Sequence, residues 1–318
     1  MPEGLLGFFP PASLVCIMDA HSFSQSSNHL LMIEPADFYA NPETMETNAY
    51  QVDDHEPVEV TSARALREFR ELHDKLVESG VKITTAKALP QCPDMVFPNW
   101  FFSFPDGRLM LCPMLNKNRQ DERSEDIIAL LTKIYPDVID WTEYEEFGLA
   151  LESTASIVSD RVNRRAYAAL SARTDEGLAR KWADHIGYEI DFFETHSHTG
   201  IPVYHTDCVM WIGSTLAGIC SECIVEEDRR RIVSSLLDTH QVIEFSNDQL
   251  RTFCGNALEV VGHGGQKMLV LSEKALQALE EDQLEKCHQH FSRLIYSPLP
   301  TLERYGGGSA RCMLAELL

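Results

Sequence analysis

Ala257-Leu258-Glu259-Val260-Val261-Gly262-His263-Gly264-Gly265-Gln266-Lys267-Met268-Leu269-Val270-Leu271 reads as two apolar strands folded about a His-Gly-Gly turn. Two polar helical stretches follow, Glu273–Leu279 and Asp282–Phe291, and then a further strand, Leu294-Ile295-Tyr296. The same succession recurs outward from this stretch. Met95-Val96-Phe97 and Leu109–Cys112 read as strands around the Pro105-Asp106-Gly107 turn, and Ser124–Ile134 as the helix after them. Ala155–Val158 and Ala166–Leu170 precede the helix Asp175–Ile186 and the strand Ile190–Phe193. Val209–Ile212 and Ala217–Ile224 precede the helix Glu227–Thr239 and the strand Val242–Phe245; Asn247–Cys254 reads as a short helix. Near the start, strand Leu30–Ile33 stops at Pro35, and Ala63–Ser79 carries Leu66, Phe69, Leu72 and Leu76 at helical spacing before strand Val81–Thr84. Strand pairs alternating with helices, with no linker or composition shift after about residue 29, predict one α/β domain of similar units over 30–318.

The bulk properties narrow the function. The chain has 318 residues and is 44% hydrophobic, ordinary for a protein with a sizeable core. Its 27 Lys+Arg against 49 Asp+Glu give a net charge of −22, and the pI is about 4.9. That argues against nucleic acid and anionic membrane surfaces as main partners, because both demand a basic face. A cationic small molecule suits it. Nine scattered cysteines, an odd number, read as free thiols in a reducing compartment. No apolar run approaches a membrane span. Residues 1–29 carry no Lys or Arg, so neither a secretory signal nor a transit peptide fits, and a cytoplasmic protein is the expectation. Pro10, Pro11 and the Ser-rich tract Ser22–Ser27 predict a flexible N-terminal extension over 1–29.

Reactive groups stand where small or polar residues break the apolar pattern. Gly306-Gly307-Gly308-Ser309-Ala310-Arg311-Cys312 sets a cysteine behind a triple glycine and beside an arginine, whose charge favours thiolate, the form that attacks carbon. Asp94 and Asn99 flank Met95-Val96-Phe97-Pro98, and Glu152 heads the run Ser153-Thr154-Ala155-Ser156. His205 and Asp207 are two apart and would share a face in a strand. Cys254-Gly255-Asn256 enters the strand Ala257–Val261. Each alone has a plain explanation: a buried cysteine, a turn-capping aspartate, an exposed glutamate, a core histidine. Cys220-Ser221-Glu222-Cys223, with His196 and His198 upstream, has too few matched ligands for a zinc or redox site and reads as structural cysteines. The charged stretch around Glu280–Lys286 reads as a solvated face.

Together these segments resemble the guanidino-group-modifying (pentein) superfamily of arginine deiminases, dimethylarginine dimethylaminohydrolases and amidinotransferases, most nearly the arginine-deiminase-related branch with the citrulline utilisation hydrolases. The resemblance runs from about Leu30 to the C-terminus. It is carried by Asn41-Pro42-Glu43-Thr44, Val96-Phe97-Pro98-Asn99, Cys112-Pro113-Met114 with Asn118-Arg119, Leu151-Glu152-Ser153-Thr154, Asp160 through Arg164, Pro202 through Thr206, Gly255-Asn256, Ser297 through Thr301 and Gly306 through Glu316.

The resemblance implies a five-bladed α/β propeller of ββαβ-like units with pseudo-fivefold symmetry and a site in the central channel. It implies hydrolysis of a C–N bond in an arginine-like guanidino or ureido molecule, with Cys312 as nucleophile, His205 as proton carrier and Glu152 and Asp207 holding the substrate's N–H groups. Asp94 and Asn99 would bind the substrate's polar end, and Arg311 or Arg161 its carboxylate. No metal and no organic cofactor is implied; a homodimer stays open. Citrulline cleavage, dimethylarginine hydrolysis, amidino transfer and a ligand-binding propeller without turnover are the rival readings.

Three departures bear on the substrate. Trp100 replaces an expected Asn on the substrate wall. Ser153-Thr154-Ala155 replaces Gly-Thr-Gly, adding side chains in a tight turn. Asp207 replaces the Asn of citrulline-type members, which favours a cationic guanidinium over a neutral ureido group.

Overall fold

The structure, a computed structural model, describes residues 24–318. Fifteen strands among them form five three-stranded sheets, each one blade. In the second blade, β3 (Phe101–Ser103) pairs antiparallel with β4 (Arg108–Leu111), and β4 pairs parallel with β5 (Asp137–Asp140). The third blade repeats this with β6 (Val158–Asp160), β7 (Arg165–Ala169) and β8 (Glu189–Phe193). The fourth uses β9 (Met210–Ile212), β10 (Leu216–Ile219) and β11 (Gln241–Glu244). The fifth uses β12 (Leu258–Val261), β13 (Lys267–Ser272) and β14 (Arg293–Ser297). The first blade is assembled from both ends of the described chain. β1 (His29–Glu34) pairs parallel with β2 (Lys82–Lys87), and the antiparallel partner is β15 (Ala315–Glu316), at the far end of the chain, with Leu30 opposite Glu316 and Leu31 opposite Ala315. The five-bladed α/β propeller that the resemblance implied is the architecture observed.

Parallel neighbours need a crossover, and a helix supplies each one. α1 (Val58–Glu78), α2 (Glu125–Thr132), α3 (Glu176–Ile186), α4 (Glu226–Leu237) and α5 (Glu281–His290) span the five parallel steps in order. α1 buries Thr61, Ala65, Phe69, Leu72 and Leu76, a stripe at helical spacing. Burying Phe69, Leu72 and Leu76 contributes about 1.5–3 kcal/mol each. Ser124 and Asp175 cap α2 and α3 through their side-chain oxygens. The first strands meet one another between blades, β6 against β9 and β9 against β12.

Three expectations are corrected. Met95–Phe97 is no strand: Pro93–Val96 is a 3-10 turn, and β4 pairs with Phe101–Ser103 instead. Ala155 and Ser156 belong to a short helix, Ser153–Ser156, so the strand begins at Val158. The flexible extension expected over 1–29 is not met at its last residues. Residues 1–23 lie outside the described residues, but Gln25, Ser26 and Ser27 are buried. Gln25 donates to the carbonyls of Ser159 (2.8 Å) and Ile212 (3.1 Å), and Ser26 to Glu259 (2.6 Å). These bonds tie the segment before β1 to the third, fourth and fifth blades.

Candidate active site

The polar segments that precede the first strand of each blade face one place. Asp94 lies on the 3-10 turn before β3, Glu152 at the head of the short helix before β6, His205 and Asp207 at the one-turn helix Thr206–Val209 before β9, Asn256 just before β12, and Cys312 in the 3-10 turn before β15. Five similar blades thus present five similar entries, each with different chemistry. All six residues are buried; Glu152 and Asn256 are fully inaccessible and Cys312 is 3% exposed.

The Gly-rich segment shapes the surroundings of Cys312. Gly307 has φ +62°, and a Cβ there would lie 2.6–2.8 Å from Asn48 and Gln51. A Cβ on Gly308 would stand 3.3 Å from the Cys312 Sγ, so glycine keeps the front of the sulfur open. Asn256 clamps the cysteine from both sides of its amide: Nδ2 donates to Sγ at 3.1 Å, and Oδ1 accepts from the Cys312 N–H at 3.3 Å. Asp207 Oδ2 lies 3.5 Å from the sulfur. The Cys208 thiol beside it, the Ser309 N–H, the Asn256 amide and the Arg311 charge overcome burial and hold the Cys312 thiol down to about 6. Burial and the facing thiolate push the Asp207 carboxyl well above the usual range. The two shifts run in opposite directions, toward thiolate on Cys312 and a protonated carboxyl on Asp207.

A second pair stands beside the first. Glu152 Oε2 is 2.7 Å from His205 Nε2, and its Oε1 accepts from the Leu115 N–H at 3.2 Å. Burial alone would raise the Glu152 pKa, but the Arg173 guanidinium 3.8 Å away and the His205 bond outweigh it and hold it at about 2. Burial pushes His205 down, so the ring is neutral near pH 7. With Nε2–H donated to the carboxylate, the lone pair sits on Nδ1, which has no partner.

Asp94 forms a third centre. It accepts from Asn41 Nδ2 (2.8 Å) and Thr44 Oγ1 (3.0 Å), and Arg119 stands 4.0 Å away. Its second oxygen, Oδ1, is buried without a partner. Burial raises its pKa against Arg119.

The other expected site residues are placed differently. Arg161 is bound by the Glu316 carboxylate and the Gln25 carbonyl, an ion pair that fastens the third blade to β15. Arg311 donates to the carbonyls of Leu314 (2.9 Å) and Thr154 (3.3 Å). Neither guanidinium is left to take a substrate carboxylate; Arg311 acts on Cys312 through its charge. Asn99 is buried in the turn into β3. Trp100, expected on the substrate wall, is fully buried in a core cluster with Leu31, Ile33, Met95 and Phe101. His205 and Asp207 do not share a strand face: the chain turns helical after His205.

The structure adds Arg173, which sequence reasoning passed over. It follows β7, is 1% exposed and sits 4.9 Å over the Tyr204 ring. The segment between β1 and α1 reaches over it: Arg173 donates to the Thr44 carbonyl (3.1 Å) and Thr47 Oγ1 (2.8 Å). Asn48 and Gln51 of the same segment donate to carbonyls of Gly306 (3.3 Å) and Tyr305 (3.2 Å). The signal in the sequence was an arginine between the end of a strand and the capping Asp175. Cys220 and Cys223 are buried in the core, and among the described residues they form no metal-ligand group with His196 or His198.

Comparison with known proteins gives a concordant result. The family model described as "N,N dimethylarginine dimethylhydrolase, eukaryotic" matches residues 34–318. No curated protein matches the chain. Among solved structures, the N-terminal domain of ArgZ, an arginine dihydrolase from the ornithine–ammonia cycle in Cyanobacteria, matches with TM-score 0.72 at 16% identity, over 91% of this chain and 99% of that one. Unliganded AgrE gives 0.73 at 16% identity, over 91% of this chain and 39% of that one. DDAH from Pseudomonas aeruginosa, in a mutant complexed with citrulline, gives 0.63 at 16% identity, over 91% and 99%. The chain thus spans about two-fifths of full-length ArgZ and AgrE. At these identities the structures share the fold; the family match extends over nearly the whole described chain, so the protein belongs to the eukaryotic N,N dimethylarginine dimethylhydrolase family, within the pentein superfamily of guanidino-group-modifying enzymes.

Proposed function

We propose that the protein is a cysteine-dependent hydrolase that cleaves a C–N bond in the guanidinium group of arginine or an Nω-methylated arginine. The observation that carries this reading is the pairing of two centres: a Cys312 thiol held down to about 6 against Asp207 and Asn256, and a neutral His205 fixed by Glu152 with Nδ1 unpartnered. The family match and the arginine-processing and citrulline-bound neighbours support the same substrate chemistry.

A planar guanidinium entering this cage meets buried carboxyls. Its charge displaces the Asp207 proton to the free Nδ1 of His205, and the carboxylate then accepts two N–H groups in the bidentate manner that suits the planar fork. The Cys312 thiolate attacks the central carbon, forming the C–S bond. His205 carries a proton to the departing nitrogen, and ammonia or an alkylamine leaves. His205 then takes a proton from water, which adds to the same carbon; the C–S bond breaks and a ureido product remains. Glu152 holds the imidazole and stabilises its charged form. Arg173, rather than Arg311 or Arg161, takes the substrate's carboxylate, displacing its contacts with Thr44 and Thr47. Asp94, with its unpartnered Oδ1, receives the α-ammonium group.

The test is a mass-spectrometric product screen. The protein and its Cys312→Ala variant are incubated with arginine, methylated arginines, agmatine and citrulline. Consumption of one substrate by the unmodified protein only supports the reading, and the product names the bond cleaved. If nothing turns over while one compound raises the melting temperature of both proteins, the protein is a binding propeller and the hydrolase reading fails.

A further inference from the structure

Cys208 takes no part in the bond changes above, although its thiol helps to hold Cys312 down, and its sulfur lies close to that of Cys312. It lies on the one-turn helix before β9, immediately after Asp207, and is buried at 1% exposure. Its Sγ, the Cys312 Sγ and an Asp207 oxygen all lie within 4.8 Å of one another. The Asp207 carboxyl bridges the two sulfurs, 3.7 Å from Cys208 and 3.5 Å from Cys312. Both cysteines are free thiols. Two sulfurs at this separation reach bonding distance, about 2.05 Å, only by rotation of their side chains. A Cβ at Gly308 would stand 3.3 Å from the Cys312 Sγ, so glycine there spares the side chain that contact as it turns.

We propose that Cys208 and Cys312 form a covalent modification site, a dithiol that a peroxide converts to an intramolecular disulfide. The proposal rests on the reading of Cys312 as the reactive thiolate. The chemistry runs in two steps. The Cys312 thiolate attacks one peroxide oxygen; an S–O bond forms, the O–O bond breaks, and the departing hydroxide takes the proton of the adjacent Asp207 carboxyl. Cys312 is then a sulfenic acid. The Cys208 sulfur attacks it; the S–S bond forms, the S–O bond breaks, and the oxygen leaves as water with the Cys208 proton. Two sulfurs are oxidised by one electron pair, and the two peroxide oxygens are reduced. A dithiol reductant reverses the bond by thiol exchange. The consequence is twofold. The disulfide removes the nucleophile, and it intercepts the sulfenic acid before a second oxidant carries it to the irreversible sulfinic state.

The experiment uses the full chain, hydrogen peroxide as oxidant, alkylation of remaining thiols and non-reducing peptide mass spectrometry with fragmentation. Alkylation of Cys312 without peroxide is read in parallel. The expected result is one cross-link, Cys208 to Cys312, reversed by dithiothreitol with return of Cys312 alkylation. In Cys208→Ser the cross-link is absent, and sulfinic Cys312 accumulates on the order of tenfold faster. Cys208→Ala serves as the second variant if the serine disturbs folding, judged by the melting temperature. Equal rates of Cys312 over-oxidation with and without Cys208, or a cross-link confined to Cys220 and Cys223, overturns the proposal. Fast Cys312 alkylation with no cross-link leaves the nucleophile reading intact while the dithiol site fails. Slow alkylation of Cys312 in the untreated protein sinks both.

Discussion

Asn256→Ala removes the side-chain amide that donates to the Cys312 sulfur, and its effect on the pH profile of alkylation can be worked out in advance. The amide donates to Sγ at 3.1 Å inside a buried site. A hydrogen bond to a charged acceptor is worth about 1.5–3 kcal/mol, and one pKa unit corresponds to about 1.4 kcal/mol. Losing the bond should therefore move the Cys312 midpoint from about 6 up by about one to two units. At pH 6 the thiolate fraction then falls by roughly five- to fiftyfold. The sulfur also becomes more nucleophilic as its pKa rises, with a slope of about 0.4–0.5, which returns roughly three- to eightfold. The net expectation is alkylation slower by about two- to sixfold at pH 6 and faster by about three- to eightfold above pH 9. The two profiles cross. A variant whose only effect was to loosen the site would alkylate faster at every pH, and the curves would not cross. The assay is iodoacetamide labelling of Cys312 followed by peptide mass spectrometry from pH 5 to 10. A wild-type midpoint near 9, or an unmoved midpoint in Asn256→Ala, refutes the thiolate and the clamp respectively.

Three further outcomes are expected. Glu152, held at about 2 from an ordinary 4.5, contributes about 3 kcal/mol at pH 7 by linkage. Its folded pKa is depressed, so this stability is present above pH 5 and is lost as pH falls toward 2. Glu152→Gln should flatten that acid loss in thermal melts while costing about 3–5 kcal/mol at neutral pH, because Arg173 is left facing no charge; an unchanged acid limb counts against it. Ser153 sits at φ +45° with a buried, unpartnered hydroxyl. Ser153→Gly relieves about 1–2 kcal/mol of backbone strain and about 1 of desolvation, less about 0.5–1 of chain entropy, so the melting temperature should rise by about 2 °C; a fall shows that the side chain packs better than its missing bonds suggest. Arg173→Ala should raise KM for arginine by roughly 10- to 150-fold, the worth of a charged hydrogen bond, while KM for agmatine, which lacks the carboxylate, stays nearly unchanged; kcat falls on both, because Arg173 also holds Glu152 ionised. An equal rise in KM on both substrates places Arg173 elsewhere.

The pattern of strand pairs and helices was legible because burial writes its period into the sequence. Phe69, Leu72 and Leu76 in α1 and the alternating runs of β12 and β13 lie where that period puts them. What the period could not resolve was the short stretches between it. Met95-Val96-Phe97 and Tyr204 through Asp207 are apolar or polar runs of three or four residues, which suit a strand or a single helical turn equally. In the fold they are turns, because each delivers a side chain inward just before a first strand begins. The closing strand was invisible for another reason. β15 has two residues and pairs with a strand at the other end of the described chain, a contact that local sequence does not encode.

The site follows the same division. Residues at blade entries were recoverable, since one structural position recurs five times and each time interrupts an apolar run with Asp94, Glu152, His205, Asn256 or Cys312. Arg173 belongs to the other kind of connection, between a second strand and its helix, and its neighbours Thr44 and Thr47 come from a segment more than 120 residues earlier. Arg161 and Arg311 carried the right charge in promising motifs. Their guanidinium groups nonetheless close the ring, one on Glu316 and one on backbone carbonyls beside it. A propeller closed by a two-residue strand needs such fastening next to Cys312, which leads into that strand. Charge and motif alone therefore do not separate such arginines; only their partners in space show that Arg161 and Arg311 close the ring.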